Sequence, residues 1–118
     1  MRKSLMMNTF DLKNSALTSD SGESIFGLEH TGSHACYMIY GVLKPGQEKR
    51  VIKPGKGHEE MVLSVKGNFE MSGRFSGQLR EGCVFHVSGE DTVYLQNTET
   101  TDACYVIAGG HSQDGHHH

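Results

Sequence analysis

From Ser24 onward the chain alternates short apolar runs with clusters of Gly, Pro, Asp and Asn. Runs of this length, bounded by turn residues, predict strands rather than helices. The expected strands are Ser24–Leu28, Ala35–Leu43, Lys49–Ile52, Met61–Lys66, Phe69–Ser72, Ser76–Arg80, Val84–Val87, Thr92–Gln96 and Cys104–Ala108. Lys44-Pro45-Gly46-Gln47 and Lys53-Pro54-Gly55-Lys56 read as turns, since Pro presets φ and Gly follows it. Residues 88–91 and 98–102 read the same way. Before residue 24 the pattern is polar, rich in Ser, Asn, Thr and Asp, and predicts an arm with one short strand at Thr9–Leu12. No helical period continues past residue 20. Short antiparallel strands in this number pack as a sandwich or barrel.

Alternation assigns faces. Glu60, Val62 and Ser64 share one side of their strand, and Met61, Leu63 and Val65 share the other. The first set suits a semi-polar pocket; the second needs a cover. In the following strand Cys83, Phe85 and Val87 oppose Val84 and His86.

Composition narrows the classes of function. A chain of 118 residues fits one domain. Residues 1–23 read as the arm, 24–110 as the barrel, and 111–118 as a His-rich tail that is either native or a tag remnant. A formal charge of −3, with a basic cluster only at Lys44, Lys49, Arg50, Lys53 and Lys56, gives no footprint for nucleic acid. The apolar run at Leu5–Met7 is too short for a secretory segment, and no stretch is long enough to cross a membrane. Cys36, Cys83 and Cys104 are odd in number and each lies in an apolar run, which predicts buried free thiols in a reducing, cytoplasmic setting.

The middle of the chain resembles the cupin superfamily. Glu60 and Gly67 hold the spacing that ends that family's first motif, after Lys53-Pro54-Gly55-Lys56-Gly57-His58-Glu59. Gly82, residues 83–88 and Asn97 fit the frame of the second. The resemblance spans roughly residues 35–108 and implies an all-β, antiparallel jelly-roll barrel. It also implies a site: two histidines of the first motif, its Glu and the His of the second hold a divalent metal in the family. Here the histidine positions fall on Lys53 and Gly55, or on Pro54 and Lys56, and the second-motif His falls on Val93. Only Glu60 survives, so no metal is expected at the usual site and no cofactor is assigned.

The resemblance then implies a pocket with Lys53 and Glu60 at the mouth and Val62, Ser64, Phe85, Val93 and Asn97 deeper. The expected function is a metal-free module binding a small molecule, with an anion among the options, and Glu60 paired to Lys53 or Lys56. One rival is a metal-dependent enzyme, a dioxygenase or isomerase, with a site rebuilt from Glu60, His58 and His86. Another is a non-catalytic scaffold whose tail handles metal. His30 and His34 read as solvated loop residues, His58 as a polar corner residue, and Cys83 as a packed thiol rather than a nucleophile. Met61, Leu63 and Val65 need a cover that the N-terminal strands supply in part, and the resemblance, to a family whose members commonly pair through this sheet, implies a homodimer.

Overall fold

The computed structural model describes residues 9–112. Among them nine strands form: β1 (Glu23–Phe26), β2 (Cys36–Leu43), β3 (Arg50–Ile52), β4 (Gly55–Lys66), β5 (Phe69–Gly73), β6 (Gly77–Leu79), β7 (Val84–Gly89), β8 (Val93–Gln96) and β9 (Ala103–His111). They build two antiparallel sheets, ordered β1-β2-β9-β4-β7 and β3-β8-β5-β6. The chain passes repeatedly from one sheet to the other, which is the jelly roll that the strand pattern and the resemblance imply.

The core lies between the sheets. Leu43, Val62, Tyr105 and Ile107 meet Ile52, Phe69, Leu79, Val93 and Leu95 across it. Burying each aliphatic side chain there contributes roughly 2 kcal/mol against leaving it exposed. In β4 the alternation is clean: Val62 and Ser64 are fully buried, while Met61 and Leu63 are 52% and 36% exposed.

The polar arm departs from expectation. Residues expected as a strand at Thr9–Leu12 lead instead into helix α1 (Leu12–Leu17), capped by Asp11, whose side chain accepts from the Asn14 amide at 3.0 Å. A helix this short is not stable alone; the burial of Ala16 against Val42 and Cys104 holds it to the sheet. β1 ends at Phe26 rather than Leu28, because Gly27 opens a single turn, α2 (Leu28–Thr31). There His30 is not a plain loop residue: Nδ1 accepts from the Gly27 amide, and its ring stacks 4.8 Å from Phe26.

Two further boundaries move. The expected turn at 53–56 and corner at 57–60 are drawn into β4, which starts at Gly55 and takes a register shift between Gly55 and Glu59. His58 is therefore a strand residue. β9 continues through His111, the first residue of the segment set apart as a tail. Of the three free thiols only Cys104 is buried; Cys36 begins β2 at a sheet end and Cys83 sits in the turn before β7, so both are exposed. No helix among the described residues is long and apolar enough to cross a membrane.

Candidate functional site

Strand register sorts the inner face of the larger sheet into rows. One row is Glu23, Gly41, Tyr105 and Ser64; the next is Ile25, Ile39, Ile107, Val62 and Phe85. The third is Tyr37, Gly109, Glu60 and Val87, and beyond it His58 stands opposite His111.

Two of these rows share one device. Tyr37 on β2 reaches across Gly109 on β9 to donate its hydroxyl to Glu60 Oε2 on β4, at 2.5 Å. Tyr105 on β9 reaches across Gly41 on β2, in the opposite direction, to donate to Glu23 on β1. Both crossings require glycine. A β-carbon on Gly109 would lie 2.3 Å from Tyr37 Cζ, and one on Gly41 would lie 2.1 Å from Tyr105 Cζ. The Tyr105 oxygen also accepts from Arg50 Nη1 at 2.8 Å, and Arg50 pairs with Glu23 at 3.5 Å.

The two carboxylates thus have different company. Glu23 has an arginine. Glu60, only 7% exposed, has the Tyr37 hydroxyl. Burial pushes the Glu60 carboxyl above the usual carboxylate range and the charge on Glu23 adds to this, while the Tyr37 hydrogen bond and His58 oppose it. Burial, and then its bond to Glu60, raise the Tyr37 hydroxyl, so it stays a donor. Beside β1 the inner face opens into a concavity of about 300 Å³, lined by Ser21, Glu23, Ser24, Ile25 and Ile39.

The pocket expected from the sequence is largely filled. Val62 and Val93 are fully buried members of the core. Phe85 packs edge-on to Phe75, with ring centres 6.0 Å apart. Ser64 and Asn97 are buried polar residues, yet both serve turns. Ser64 Oγ donates to the Gly67 carbonyl at 2.6 Å, and Asn97 Nδ2 donates to the Leu43 and Thr101 carbonyls. Neither is available to a ligand deep in the barrel.

Lys53 does not meet Glu60. Its Nζ lies 3.1 Å from Glu90 on the exposed rim, and Lys56 is exposed as well. The lysine–glutamate pair is therefore replaced by Tyr37–Glu60. An ammonium on the rim keeps its hydration, whereas the half-buried tyrosine brings its hydroxyl inward without carrying a charge. The rebuilt metal set of Glu60, His58 and His86 does not assemble either. His86 lies on the outer face, 2.7 Å from Glu59, while Glu60 faces inward. Among the described residues no group of three His, Cys, Asp or Glu side chains is placed to hold a metal ion. A second concavity, of about 310 Å³, lies on that outer face among Cys36, Glu59, Met61, His86 and Ala108. Neither Tyr37 nor Tyr105 stands at a motif position in the sequence. The signal that could have found their role was a glycine inside each of two apolar strands, a mark of close approach.

No protein-family model matches the chain, and no curated protein matches it significantly. Solved structures do. A cupin protein from Bacteroides fragilis is similar over 100% of this chain and 92% of its own, with a TM-score of 0.65 at 9% identity. A predicted oxalate decarboxylase from Thermotoga maritima is similar over 76% of this chain and 81% of its own, with a TM-score of 0.63 at 16% identity. A cupin domain of an XRE-family transcriptional regulator from Enterobacter cloacae is similar over 76% and 97%, with a TM-score of 0.62 at 15% identity. The fold is that of the cupins, and it is shared by enzymes and regulators alike.

Proposed function

We propose that this cupin-fold chain is a small-molecule-binding module whose site is the inner mouth of the barrel, bounded by Glu60, Tyr37, Glu23, Ile25 and Ile39. The observation that carries the reading is the Glu60 carboxyl, buried with a tyrosine hydroxyl for company on the inner face that also opens, two strands and more away, at Glu23, Ile25 and Ile39. Holding such a group in place costs stability unless something uses it. With Lys53 and Lys56 turned to solvent, an anionic ligand loses its support. A molecule with an apolar body against Ile25 and Ile39 and an amine or hydroxyl donor toward the carboxyls fits instead. A thermal-shift screen of small amines, alcohols and carboxylates tests this. Amines or alcohols should raise the melting temperature, and Glu60→Gln should weaken the effect. Carboxylates stabilising equally well, or binding unaffected by Glu60→Gln, would defeat the reading.

We also propose a homodimer through the outer face of the larger sheet. Phe26, Met38, Ala108 and Met61 form one row there, and Val106, Leu63 and Val84 lie in the next. Met38, Met61 and Val84 are 45%, 52% and 59% exposed in the single chain. Exposed apolar residues clustered in this way on a sheet face favour pairing with a second copy.

A further inference from the structure

Beyond the tyrosine–glutamate rows, the last cross-strand pair of β4 and β9 is two histidines. His58 and His111 are register partners, with ring centres 5.0 Å apart and planes inclined by 46°. The backbone fixes them from both sides. Glu59 pairs with Gly110 on one side, and on the other the Ser112 amide donates to the Gly57 carbonyl at 3.0 Å. Register-paired residues carry their β-carbons about 5 Å apart, so both rings reach a common point without moving the main chain. Two imidazoles on one tetrahedral ion also have ring centres about 5 Å apart, because each nitrogen lies about 2 Å from the metal. His58 is half-buried and His111 is exposed, so water has access to the point between them.

We propose that His58 and His111 form a two-imidazole site for one borderline divalent cation such as Zn²⁺, Ni²⁺ or Co²⁺, with water filling the remaining positions. Nitrogen ligands suit these ions, and no thiolate lies in the pair. Glu60 is not a ligand: Tyr37 holds it one row further in. The site therefore differs in composition from the one the family resemblance implies, and it stands or falls apart from the small-molecule reading. His116, His117 and His118 follow in the sequence and would bind such ions by themselves, so the test must silence them.

The experiment uses the full chain with His116, His117 and His118 all changed to Ala, titrated with Co²⁺ and then Zn²⁺ and followed by absorbance and calorimetry. One ion per chain is expected. His58→Ala or His111→Ala should each weaken binding at least about tenfold, since even an outer partner of a metal ligand is worth that much. Glu60→Gln should leave the stoichiometry unchanged. His58→Gln and circular dichroism show that any loss is not unfolding. Absence of binding in the tail-silenced chain would overturn the proposal, as would unaltered affinity after His58→Ala.

Discussion

Replacing Gly109 by Ala tests the tyrosine crossing directly. The added methyl would sit 2.3 Å from Tyr37 Cζ and 2.6 Å from its hydroxyl oxygen, well inside van der Waals contact. The chain then has two ways out. It can keep Tyr37 in place and distort, at the roughly 1–3 kcal/mol that overpacking costs. Alternatively the ring swings off and Glu60 loses its donor, at roughly 1.5–3 kcal/mol for a hydrogen bond to a charged group. These are alternatives rather than a sum, so about 2 kcal/mol is expected. Urea denaturation near neutral pH measures it. The decisive comparison is the same substitution in a Tyr37→Leu background, where no ring crosses the glycine. There Gly109→Ala should be neutral or slightly stabilising, since Ala restricts the unfolded chain more than Gly. The coupling between the two positions should therefore exceed about 1 kcal/mol. An equal cost in both backgrounds would mean that the glycine serves something other than the crossing, and the reasoning would fail.

Glu60→Gln should stabilise the protein at neutral pH. The folded carboxyl is raised above its unfolded value, so the wild type loses stability as pH rises from about 4.5 through the folded value; the gain in the variant should shrink toward zero as pH falls to the unfolded value. Melting curves across that range that run parallel would contradict it. Met61→Glu, on an outer-face residue that packs against nothing inside the barrel, should leave the fold intact and convert the dimer to monomer in sedimentation; a wild-type chain already monomeric at high concentration would remove the premise. A thiol reagent should titrate Cys36 and Cys83 quickly in the native protein and Cys104 only after unfolding. Three fast thiols would contradict the burial of Cys104 beneath α1.

Strand positions were legible because burial on one side writes itself into alternation. Glu60–Val65 and Val84–Val87 gave their faces without any long-range information. α1 was not legible: its residues are polar apart from Leu12, Ala16 and Leu17, and its helical state depends on where Ala16 lands against Val42. The site suffered from a related blindness. Ser64 and Asn97 are polar and buried in either account, and only their turn carbonyl partners show that they are spent on structure. Lys53 was read as Glu60's partner from its motif position, but a long side chain on a rim reaches several places, and Glu90 is the one it takes. The tyrosine crossings join residues on three strands each, from Tyr37 through Gly109 to Glu60, and no local pattern contains them.

The paired crossings set a rule for how this sheet can change over generations. Position 109 cannot gain a side chain while position 37 is aromatic, and position 41 is bound in the same way to position 105. Each couple can therefore be exchanged only jointly, or in an order that shrinks the ring first. Among diverged versions of this chain, an alanine or larger residue at 109 should accompany a small residue at 37, and a glutamate at 60 left without a hydroxyl donor should become neutral or find a new one. Positions separated by more than sixty residues along the chain would then drift as if they were a single locus.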